Sequence, residues 1–383
     1  MGIRILSCLI LVGLLIISPV SGEVETDDPV RVNSNDELAE VAEKGNGTAG
    51  NPWVIEGLTI EGLDHGIYIG NVTEHFIIRD CYLKNISELS FYENSEIMIF
   101  NSENGVIENN RVVNMLGHGI NIVDSSDIEI VDNEIIGETV MDSVGHGIRL
   151  YRSERINVRE NHVEGNRDVY TIEHGILAIE STWLNITDNH VEGNDMAGIG
   201  LFTSDYNRIT GNLVEDNSWG ILLEGSRSNH LIENILLKNG WGIYLEEYED
   251  EEELEIWSHN NTIYHNDFVR NGHPAWDSYG KERVGINQWD NGSHGNYWSD
   301  YRRRYPDEEK SDGIWLTPYE IPGTEEKSSD SYPLVEPISY GEEADEPTGT
   351  SPVWWVLFGF IIVLILLRAV LWVRERLGVK VER

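Results

Sequence analysis

One phrase recurs through the middle of the chain and constrains the fold more than any other feature. Each copy contains Gly-Ile, a short apolar run, a polar turn, a second apolar run, and an Asn two residues before another aliphatic residue. The recurring glycine stands at Gly119, Gly147, Gly175, Gly198, Gly220 and Gly242. Successive copies are therefore 28, 28, 23, 22 and 22 residues apart. Units of this length cannot bury an apolar face alone, so they must stack into a solenoid.

The residues within each copy distinguish between classes of solenoid. A leucine-rich repeat would need a Leu-x-x-Leu-x-Leu phrase and a helical segment in every unit. These units instead contain β-branched runs of three to five residues broken by Gly, Asn, Asp and Ser, which is typical of short strands. The pattern predicts an all-β fold, a parallel β-helix solenoid with one coil per copy and about nine to ten coils.

An asparagine holds the same place in successive copies. These residues are Asn110, Asn133, Asn161, Asn189, Asn212, Asn234 and Asn266. Because stacked strands lie ~4.8 Å apart, each side-chain amide can donate a hydrogen bond to the next one. We therefore predict an Asn ladder at a bend, with Cys81 as a buried free thiol at the equivalent place of an earlier coil.

The beginning of the chain predicts an exported protein. Residues 1–22 combine an early positive charge, an apolar run and a small-residue cleavage site, as in a secretory signal peptide. Cys8 would leave with this signal, so the mature chain would retain Cys81 alone and could form no internal disulfide. Residues 23–50 predict an N-terminal lead with a capping helix, because Ser34 and Glu37 are spaced as in a capping box.

The far end predicts a membrane anchor. Residues 51–290 form the predicted coils and residues 291–338 a C-terminal capping module, followed by an acidic stalk over 339–352. Residues 353–373 are apolar enough for one transmembrane helix. The basic tail over 374–383 should be cytoplasmic by the positive-inside rule, which places the coils outside the cell.

Charge narrows the range of partners. The chain has 67 acidic and 27 basic side chains, a formal net charge of −40. Such a surface repels nucleic acid and anionic membranes. Glycosylation sequons occur at Asn46, Asn71, Asn85, Asn185, Asn260 and Asn291 and predict a glycoprotein. The acidic run over 246–253 predicts a solvated insertion that lengthens one turn.

Residues at one repeat position form a stripe along a stacked solenoid. His118, His146 and His174 precede the Gly-Ile phrase in three copies, and Trp219 and Trp241 hold that place in later copies. Imidazoles about 5 Å apart could bind a soft divalent metal, contact a sugar or form a stacked turn. Aromatic rings at this place could bind the apolar face of a sugar or pack under a loop. We expect the stripe to be structural or to contact a sugar.

Several arginines concentrate in a single copy, at Arg149, Arg152, Arg155 and Arg159. A lyase or epimerase needs a cation to hold a uronate carboxylate and a base to remove the α-proton. Arg149 and Arg155 are therefore candidate ligand-binding residues. The alternative is cross-coil ion pairing on a solvated face. Gly117-His118-Gly119 is similar to a polygalacturonase motif, but no Asp-Asp pair lies on the coils to serve as acid and base, so we assign no catalytic residue.

A closing phrase after the coils carries a family resemblance. The segments are Gly295-Asn296-Tyr297-Trp298-Ser299-Asp300-Tyr301, Asp312-Gly313-Ile314, Thr317-Pro318-Tyr319-Glu320-Ile321-Pro322-Gly323 and Asp330-Ser331-Tyr332-Pro333-Leu334. Together with the copies they resemble the NosD-like family of right-handed parallel β-helix proteins, also named for carbohydrate-binding and sugar-hydrolase β-helices, in its archaeal cell-surface subgroup. The resemblance implies a right-handed solenoid. It also implies two ions. Copper follows from the NosD name, and calcium follows from an Asp-rich loop of the relatives. In this chain residues 307–312 stand in the place of that loop.

These observations predict a membrane-anchored cell-surface β-helix protein that binds carbohydrate or has a structural role in the cell envelope. Its partner would be a cell-surface polysaccharide or glycoprotein. The first alternative is a polysaccharide lyase or epimerase that acts on uronate polymers, and a glycoside hydrolase is a further enzymatic form. The second alternative is a NosD-like copper-associated protein. Turnover of a uronate polymer separates the enzymes from the binding and structural classes, because only the enzymes require it.

Overall fold

The chain forms a parallel β-helix in a computed structural model. The structure describes residues 26–62, 66–84, 95–113, 117–137, 145–165, 173–249, 255–278, 286–323 and 328–338. The predicted signal peptide, stalk, transmembrane helix and basic tail lie outside these residues. Within the described ranges, no helix has the length and apolar character needed to cross a membrane.

Three sheets run along the solenoid, and each coil contributes one strand to each sheet. Sheet A contains Val30–Val32, Ile67–Gly70, Ser95–Phe100, His118–Val123, Ile148–Tyr151, Ile176–Ile179, Ala197–Phe202, Trp219–Glu224, Trp241–Glu249 and His273–Asp277. Sheet B contains Trp53–Glu56, Phe76–Arg79, Gly105–Glu108, Glu129–Val131, Asn157–Arg159, Asn185–Thr187, Arg208–Thr210, His230–Ile232 and Thr262–Tyr264. Sheet C contains Thr59–Glu61, Tyr82–Lys84, Arg111–Val113, Glu134–Ile136, His162–Glu164, His190–Glu192, Leu213–Glu215, Ile235–Leu237, Asp267–Val269 and Tyr297–Trp298. These strands confirm the predicted all-β parallel architecture.

The core is a set of aliphatic stacks inside the three sheets. In sheet A, Ile120 pairs in register with Ile148 and Ile148 with Ile176, and all three are fully buried. Strands of sheets B and C each turn one central residue inward, as in the buried Ile186 and Val191. β-Branched residues fit this pleated, stacked surface well. The sequence pattern therefore repeats because every coil must pack an aliphatic side chain against the aliphatic side chain of the neighbouring coil.

The bend between sheets B and C holds the asparagine column. The first bend residue adopts a left-handed conformation, as at Asp132 with φ 53° and Asp188 with φ 54°, which Asp tolerates better than most residues. The second is the asparagine, whose Nδ2 donates to Oδ1 of the asparagine one coil later. These distances are 3.0 Å from Asn110 to Asn133, 3.0 Å to Asn161, 3.0 Å to Asn189, 2.9 Å to Asn212, 2.9 Å to Asn234 and 2.9 Å to Asn266. Cys81 is buried at the head of the column, and its N–H donates to Asn110 Oδ1 at 3.1 Å.

Two further asparagine columns were not identified from the sequence. Nδ2 donates along Asn194, Asn217, Asn239 and Asn271 at the bend between sheets C and A. Nδ2 likewise donates along Asn229, Asn261 and Asn287 at the bend between sheets A and B, where Asn207 N–H donates to Asn229 Oδ1. The signal was a recurrence every 22 to 32 residues, the same range as in the first column. All three bends are therefore held by amide side chains that satisfy buried backbone groups.

Separate structures cover the two ends of the coils. At the N-terminus the helix Asn35–Val41 begins at Ser34, whose Oγ accepts from Glu37 N–H at 3.2 Å, and it buries Leu38. At the other end lie the helix Tyr301–Arg304 and the strands Lys310–Ser311, Ile314–Trp315, Tyr319–Ile321 and Ser328–Asp330. Rings of Phe268, Trp298 and Tyr319 stack there at 4.1 and 4.0 Å. These elements shield coil ends that would otherwise expose unpaired backbone.

Buried carboxylates end two of the asparagine columns. Asn266 Nδ2 donates to Asn296 Oδ1 at 2.9 Å, and Asn296 N–H donates to Asp330 Oδ2 at 2.7 Å. Trp298 Nε1 donates to the same oxygen at 2.9 Å. In the column between sheets A and B, Asn287 Nδ2 donates to Asp277 Oδ1 at 2.9 Å. A carboxylate only accepts, so it is a suitable last member for a row of donors.

The acidic insertion differs from its predicted form. Instead of a solvated loop, its first part continues the strand Trp241–Glu249, which pairs in an antiparallel manner with Glu255–Trp257. Glu246 thereby becomes a sheet A residue in register with Glu224. The physical reason is that backbone pairing in a hairpin satisfies groups that a solvated loop would leave to water.

Candidate functional site

The outer face of sheet A carries an unusual row of rings. The row follows one strand position through successive coils. It comprises the rings of His118, His146, His174, Trp219, Trp241 and His273, and Ala197 interrupts it between His174 and Trp219. We call it the His–Trp column. The glycine after each ring explains the motif: a Cβ on Gly147 would stand 2.4 Å from Val163 Cγ1 and 2.6 Å from the Gly175 carbonyl oxygen. Only glycine fits against the core there, while the residue before it lies on the outer face.

The three histidines are stacked at the spacing of the coils. Ring centroids lie 5.0 Å apart for His118 and His146 and 5.3 Å apart for His146 and His174. His146 N–H donates to His118 Nδ1 at 3.2 Å, which makes that nitrogen an acceptor. The exposed fraction is only 6% for His118 and 3% for His174. The sequence-predicted stripe therefore exists, and it is largely removed from water.

Burial keeps these imidazoles neutral. It lowers the pKa of His118 to about 3, with a further contribution from the Arg149 charge, and that of His174 to about 4. It also lowers the pKa of His146 well below its usual range, and the neighbouring histidines and Arg149 add to this effect. Among the described residues, Nδ1 of His146 and of His174 has no hydrogen-bond partner; Glu173 Oε2 lies 3.9 Å from the former. Two buried nitrogens therefore have no partner within the described chain.

Arg149 lies on the same face, and the structure separates it from Arg155. Arg149 Nη1 donates to Asn121 Oδ1 at 3.2 Å, and its guanidinium stands 4.8 Å from the Tyr151 ring centroid. No carboxylate of the described chain forms an ion pair with it. Arg155 instead occupies the bend between sheets A and B, where it pairs with Asp127 at 2.9 Å and with Glu154. Arg149 is therefore the arginine available to an anionic group on sheet A.

The other arginines of that coil form cross-coil or neighbouring ion pairs. Arg152 Nε lies 2.8 Å from Glu180 Oε2, and Arg159 Nε lies 2.7 Å from Glu129 Oε1. These pairs are substantially exposed and contribute little to stability. The sequence left open the alternative that these arginines form ion pairs. That alternative holds for three of the four, Arg152, Arg155 and Arg159.

Aromatic rings cluster where the His–Trp column reaches the last coils. Trp241 stacks on His273 with centroids 4.1 Å apart and meets Tyr244 edge to face at 5.1 Å. Trp276 lies parallel to Tyr244 at 6.1 Å and edge-on to Trp241 at 6.1 Å. We call these four residues the aromatic cluster. Sequence reasoning found Trp241 but missed Tyr244 and Trp276, which the strand alternation after each Gly-Ile phrase could have revealed.

Two glutamates adjoin the aromatic cluster. Glu224 and Glu246 are register partners on neighbouring strands of sheet A, so their Cα atoms lie one strand spacing apart, ~4.8 Å. Burial raises the pKa of both carboxyl groups, and for Glu224 the charge of Glu246 adds to the effect. The pair could not be recognised from the sequence, because nothing in the acidic run shows which of its carboxylates lies on the outer face of sheet A.

An exposed aromatic pair lies on a different corner. Trp183 and Tyr206 stack with centroids 5.2 Å apart, and 60% and 53% of their surfaces are exposed. Both adopt left-handed backbone conformations, with φ 58° and 61°. The pair stands on the bend between sheets A and B and provides an internal comparison for the aromatic cluster.

The His–Trp column does not fit a single metal ion. Ligands of one ion at ~2.0 Å stand within about 4 Å of each other, whereas in the described part of the chain the column histidines belong to no group of three metal-ligating residues with donor atoms within 4.8 Å of one another. In the described part of the chain, only one group of three metal-ligating residues has donor atoms within 4.8 Å of one another, and it lies on sheet C. Residues 307–312, at the place of the calcium-type loop, are exposed and do not form such a group.

Two family descriptions match the chain. Residues 168–303 match the family described as periplasmic copper-binding protein (NosD), and residues 32–172 match that described as right-handed beta helix region. The predicted resemblance to NosD-like right-handed β-helix proteins is therefore confirmed. No curated protein matches the sequence.

Several solved structures share the fold at low identity. The A-module of the mannuronan C-5 epimerase AlgE6 of Azotobacter vinelandii is 16% identical over 63% of this chain and 66% of that chain, just under two thirds of its length, with a TM-score of 0.39. The periplasmic alginate epimerase AlgG is 14% identical over 68% and 83%, with a TM-score of 0.39. PfbA, a surface adhesin of Streptococcus pneumoniae, is 12% identical over 68% and 85%, with a TM-score of 0.42. At these values the likeness concerns the fold alone.

Proposed function

We propose that this NosD-like β-helix protein binds a polysaccharide along the outer face of sheet A. The observation that carries the proposal is the aromatic cluster of Trp241, Tyr244, His273 and Trp276. Aromatic faces bind the apolar faces of sugar rings, and they contribute much area with little loss of conformational entropy. A half-buried cluster of four rings on a solvent-facing sheet is otherwise costly to maintain.

Polar groups beside the rings suit the hydroxyl groups of a sugar. Burial raises the pKa values of Glu224 and Glu246, and their carboxyl oxygens can accept hydrogen bonds from sugar hydroxyl groups. Successive coils repeat at ~4.8 Å intervals along this face. A chain lying along the solenoid axis would therefore meet a new set of contacts at each coil.

Replacing Trp241 with Ala is expected to weaken glycan binding at least about fivefold, by analogy with the stacking of a nucleic-acid base on one aromatic ring, which contributes on the order of 1–3 kcal/mol. Full-length protein would first be screened on a glycan array, and the affinity for the best glycan would then be measured by calorimetry. Trp183→Ala is the matched control, since Trp183 is equally aromatic and more exposed. A loss confined to Trp183→Ala would move the binding surface to the other corner and refute the proposal.

A uronate lyase or epimerase is the second candidate, favoured by the position of Arg149. Its guanidinium lies beside neutral His146 and Tyr151 and forms no ion pair within the described chain. Arg149 would hold the uronate carboxylate, as a lyase or epimerase requires. Incubating the bound glycan with the protein distinguishes the two functions. Product that disappears in Arg149→Gln but persists in Arg155→Gln would replace binding by catalysis.

The proposed location is the exterior surface of a membrane. Its support is the sequence: a signal-like segment over 1–22, an apolar segment over 353–373 and a basic tail. Protease added to intact cells is expected to remove the coils and leave a short membrane-associated fragment. Coils that are digested only after the cells are lysed would contradict this location. An antibody against the coils, applied before and after lysis, is the control for cell integrity.

A further inference from the structure

Two histidines and a glutamate converge on the outer face of sheet C, on a different sheet from the proposed glycan site. His162 and His190 are register partners in neighbouring coils, and their rings stack 4.9 Å apart at an interplanar angle of 13°. Glu192 lies on the same strand as His190 and on the same face, two residues further on. All three side chains are about one third exposed, so an ion could reach them from solvent.

The distances are those of metal ligands. Glu192 Oε1 lies 3.1 Å from His162 Nε2 and 3.5 Å from His190 Nε2. Four ligands held ~2.0 Å from a tetrahedral ion stand roughly 3.3 Å from one another. Two of the three separations therefore already match a tetrahedral edge. All three donor atoms lie within 4.8 Å of each other, and a bound ion would draw the two imidazole nitrogens together along the third edge.

We propose that His162 Nε2, His190 Nε2 and Glu192 Oε1 bind a divalent transition metal, of which Zn²⁺ is the best match. Two imidazoles and one carboxylate form a typical zinc ligand set with water at the fourth position. Imidazole nitrogen disfavours calcium and magnesium, which take oxygen ligands. The formal net charge of −40 raises the local concentration of cations around the whole protein.

Each histidine faces a glutamate one coil later: His162 Nε2 lies 3.1 Å from Glu192 Oε1, and His190 Nε2 lies 3.0 Å from Glu215 Oε1. Glu192 Oε1 also lies 3.5 Å from a second imidazole nitrogen, that of His190 on its own strand. One oxygen between two imidazole nitrogens is the arrangement of a shared ligand sphere. An imidazole protonated on Nδ1 presents its Nε2 lone pair to the ion.

Calorimetric titration of chelator-treated full-length protein with ZnCl₂ tests the proposal. The expected result is one Zn²⁺ per chain, with affinity reduced at least about tenfold in Glu192→Gln and in His190→Gln, since even outer-shell changes cost this much. His230→Gln is the matched control, because His230 is an exposed sheet B histidine outside the group. Co²⁺ in place of Zn²⁺ should give the visible absorption of tetrahedral coordination in the wild type and not in Glu192→Gln.

Several outcomes would overturn the site. These are no Zn²⁺ binding, equal affinity in wild type and Glu192→Gln, and loss of binding only when His118, His146 and His174 are changed. If His190→Gln misfolds by circular dichroism, the nearly isosteric Glu192→Gln decides the question. A parallel titration with CuCl₂ separates the metals, since copper binds most nitrogen and oxygen sites more tightly than zinc. Glycan binding in chelator-treated protein is measured alongside, so that the two proposals succeed or fail independently.

Discussion

Acidification from pH 6.5 to pH 5 is expected to destabilise the folded protein by several kcal/mol through the His–Trp column. Unfolded histidine has a pKa of about 6.5, whereas burial lowers the pKa of His118 to about 3 and of His174 to about 4, and lowers that of His146 as well. Between these values the unfolded chain binds protons that the folded chain excludes. Stability is therefore complete above pH 6.5 and falls by ~1.4 kcal/mol per pH unit for each histidine below it.

Carboxyl groups with raised pKa values oppose this trend, and the buried Asp330 is the most strongly shifted of them. Burial raises the pKa of Asp330 to about 7, although donors from Asn296 and Trp298 act in the other direction. Because the folded chain then binds a proton that the unfolded chain releases between about pH 4 and 7, this group favours folding as the pH falls. Asp330 offsets about one of the three histidines, and Glu173, Glu224 and Glu246, whose pKa values burial also raises, reduce the net slope further, to below roughly 3 kcal/mol per pH unit.

Urea unfolding at a series of pH values measures this slope. The triple variant His118→Gln, His146→Gln and His174→Gln should lose most of the acid sensitivity, and single variants should each lose about a third of the histidine contribution. His230→Gln, with an exposed imidazole, is the control. Wild type and triple variant with parallel pH profiles would show that the buried histidines are not the cause.

Replacing Asn189 with Leu is expected to cost about 3–6 kcal/mol, the largest effect of any single substitution proposed for this protein. Asn189 Oδ1 accepts from Asn161 N–H and Nδ2, both at 3.0 Å, and its own Nδ2 donates to the Val158 carbonyl at 2.8 Å. Leucine keeps the volume but leaves these buried groups without partners. Each orphaned group costs on the order of 1–3 kcal/mol.

The free energy of unfolding in urea decides this expectation, with Asn157→Leu as the control. Asn157 lies in the preceding coil and is exposed, so its replacement should change stability by less than about 0.5 kcal/mol. Equal costs at the two positions would mean that the column contributes no more than a surface amide does.

The predictable part of this fold is the part that repeats. Asn189 could be placed because its neighbours Asn161 and Asn212 occupy the same position in copies 28 and 23 residues away. Apart from the His–Trp column, most outer-face residues do not repeat, so their environments could not be inferred. Arg149 and Arg155 are six positions apart in one copy, yet one lies on a strand beside histidines and the other on a left-handed bend.

Pairings between coils were also beyond the sequence. Nothing in the acidic run distinguishes Glu246, which faces sheet A, from its neighbours, because the hairpin that orients it depends on backbone pairing with Glu255–Trp257. The group of His162, His190 and Glu192 was missed for a related reason. Its members come from two copies, and their proximity depends on which face each strand turns outward.

The direction of the hydrogen bonds in the asparagine column implies an order in which the coils of the newly made chain fold. Every amide donates to a partner 22 to 32 residues later, and the column is complete only when Asp330 follows Asn296 by 34 residues. At ~5–20 residues per second a ribosome needs roughly one to seven seconds to supply each partner. The asparagine side chain of each coil therefore finds its acceptor in the column only after the next coil has been synthesised. We expect the column to form from the first coil toward the last.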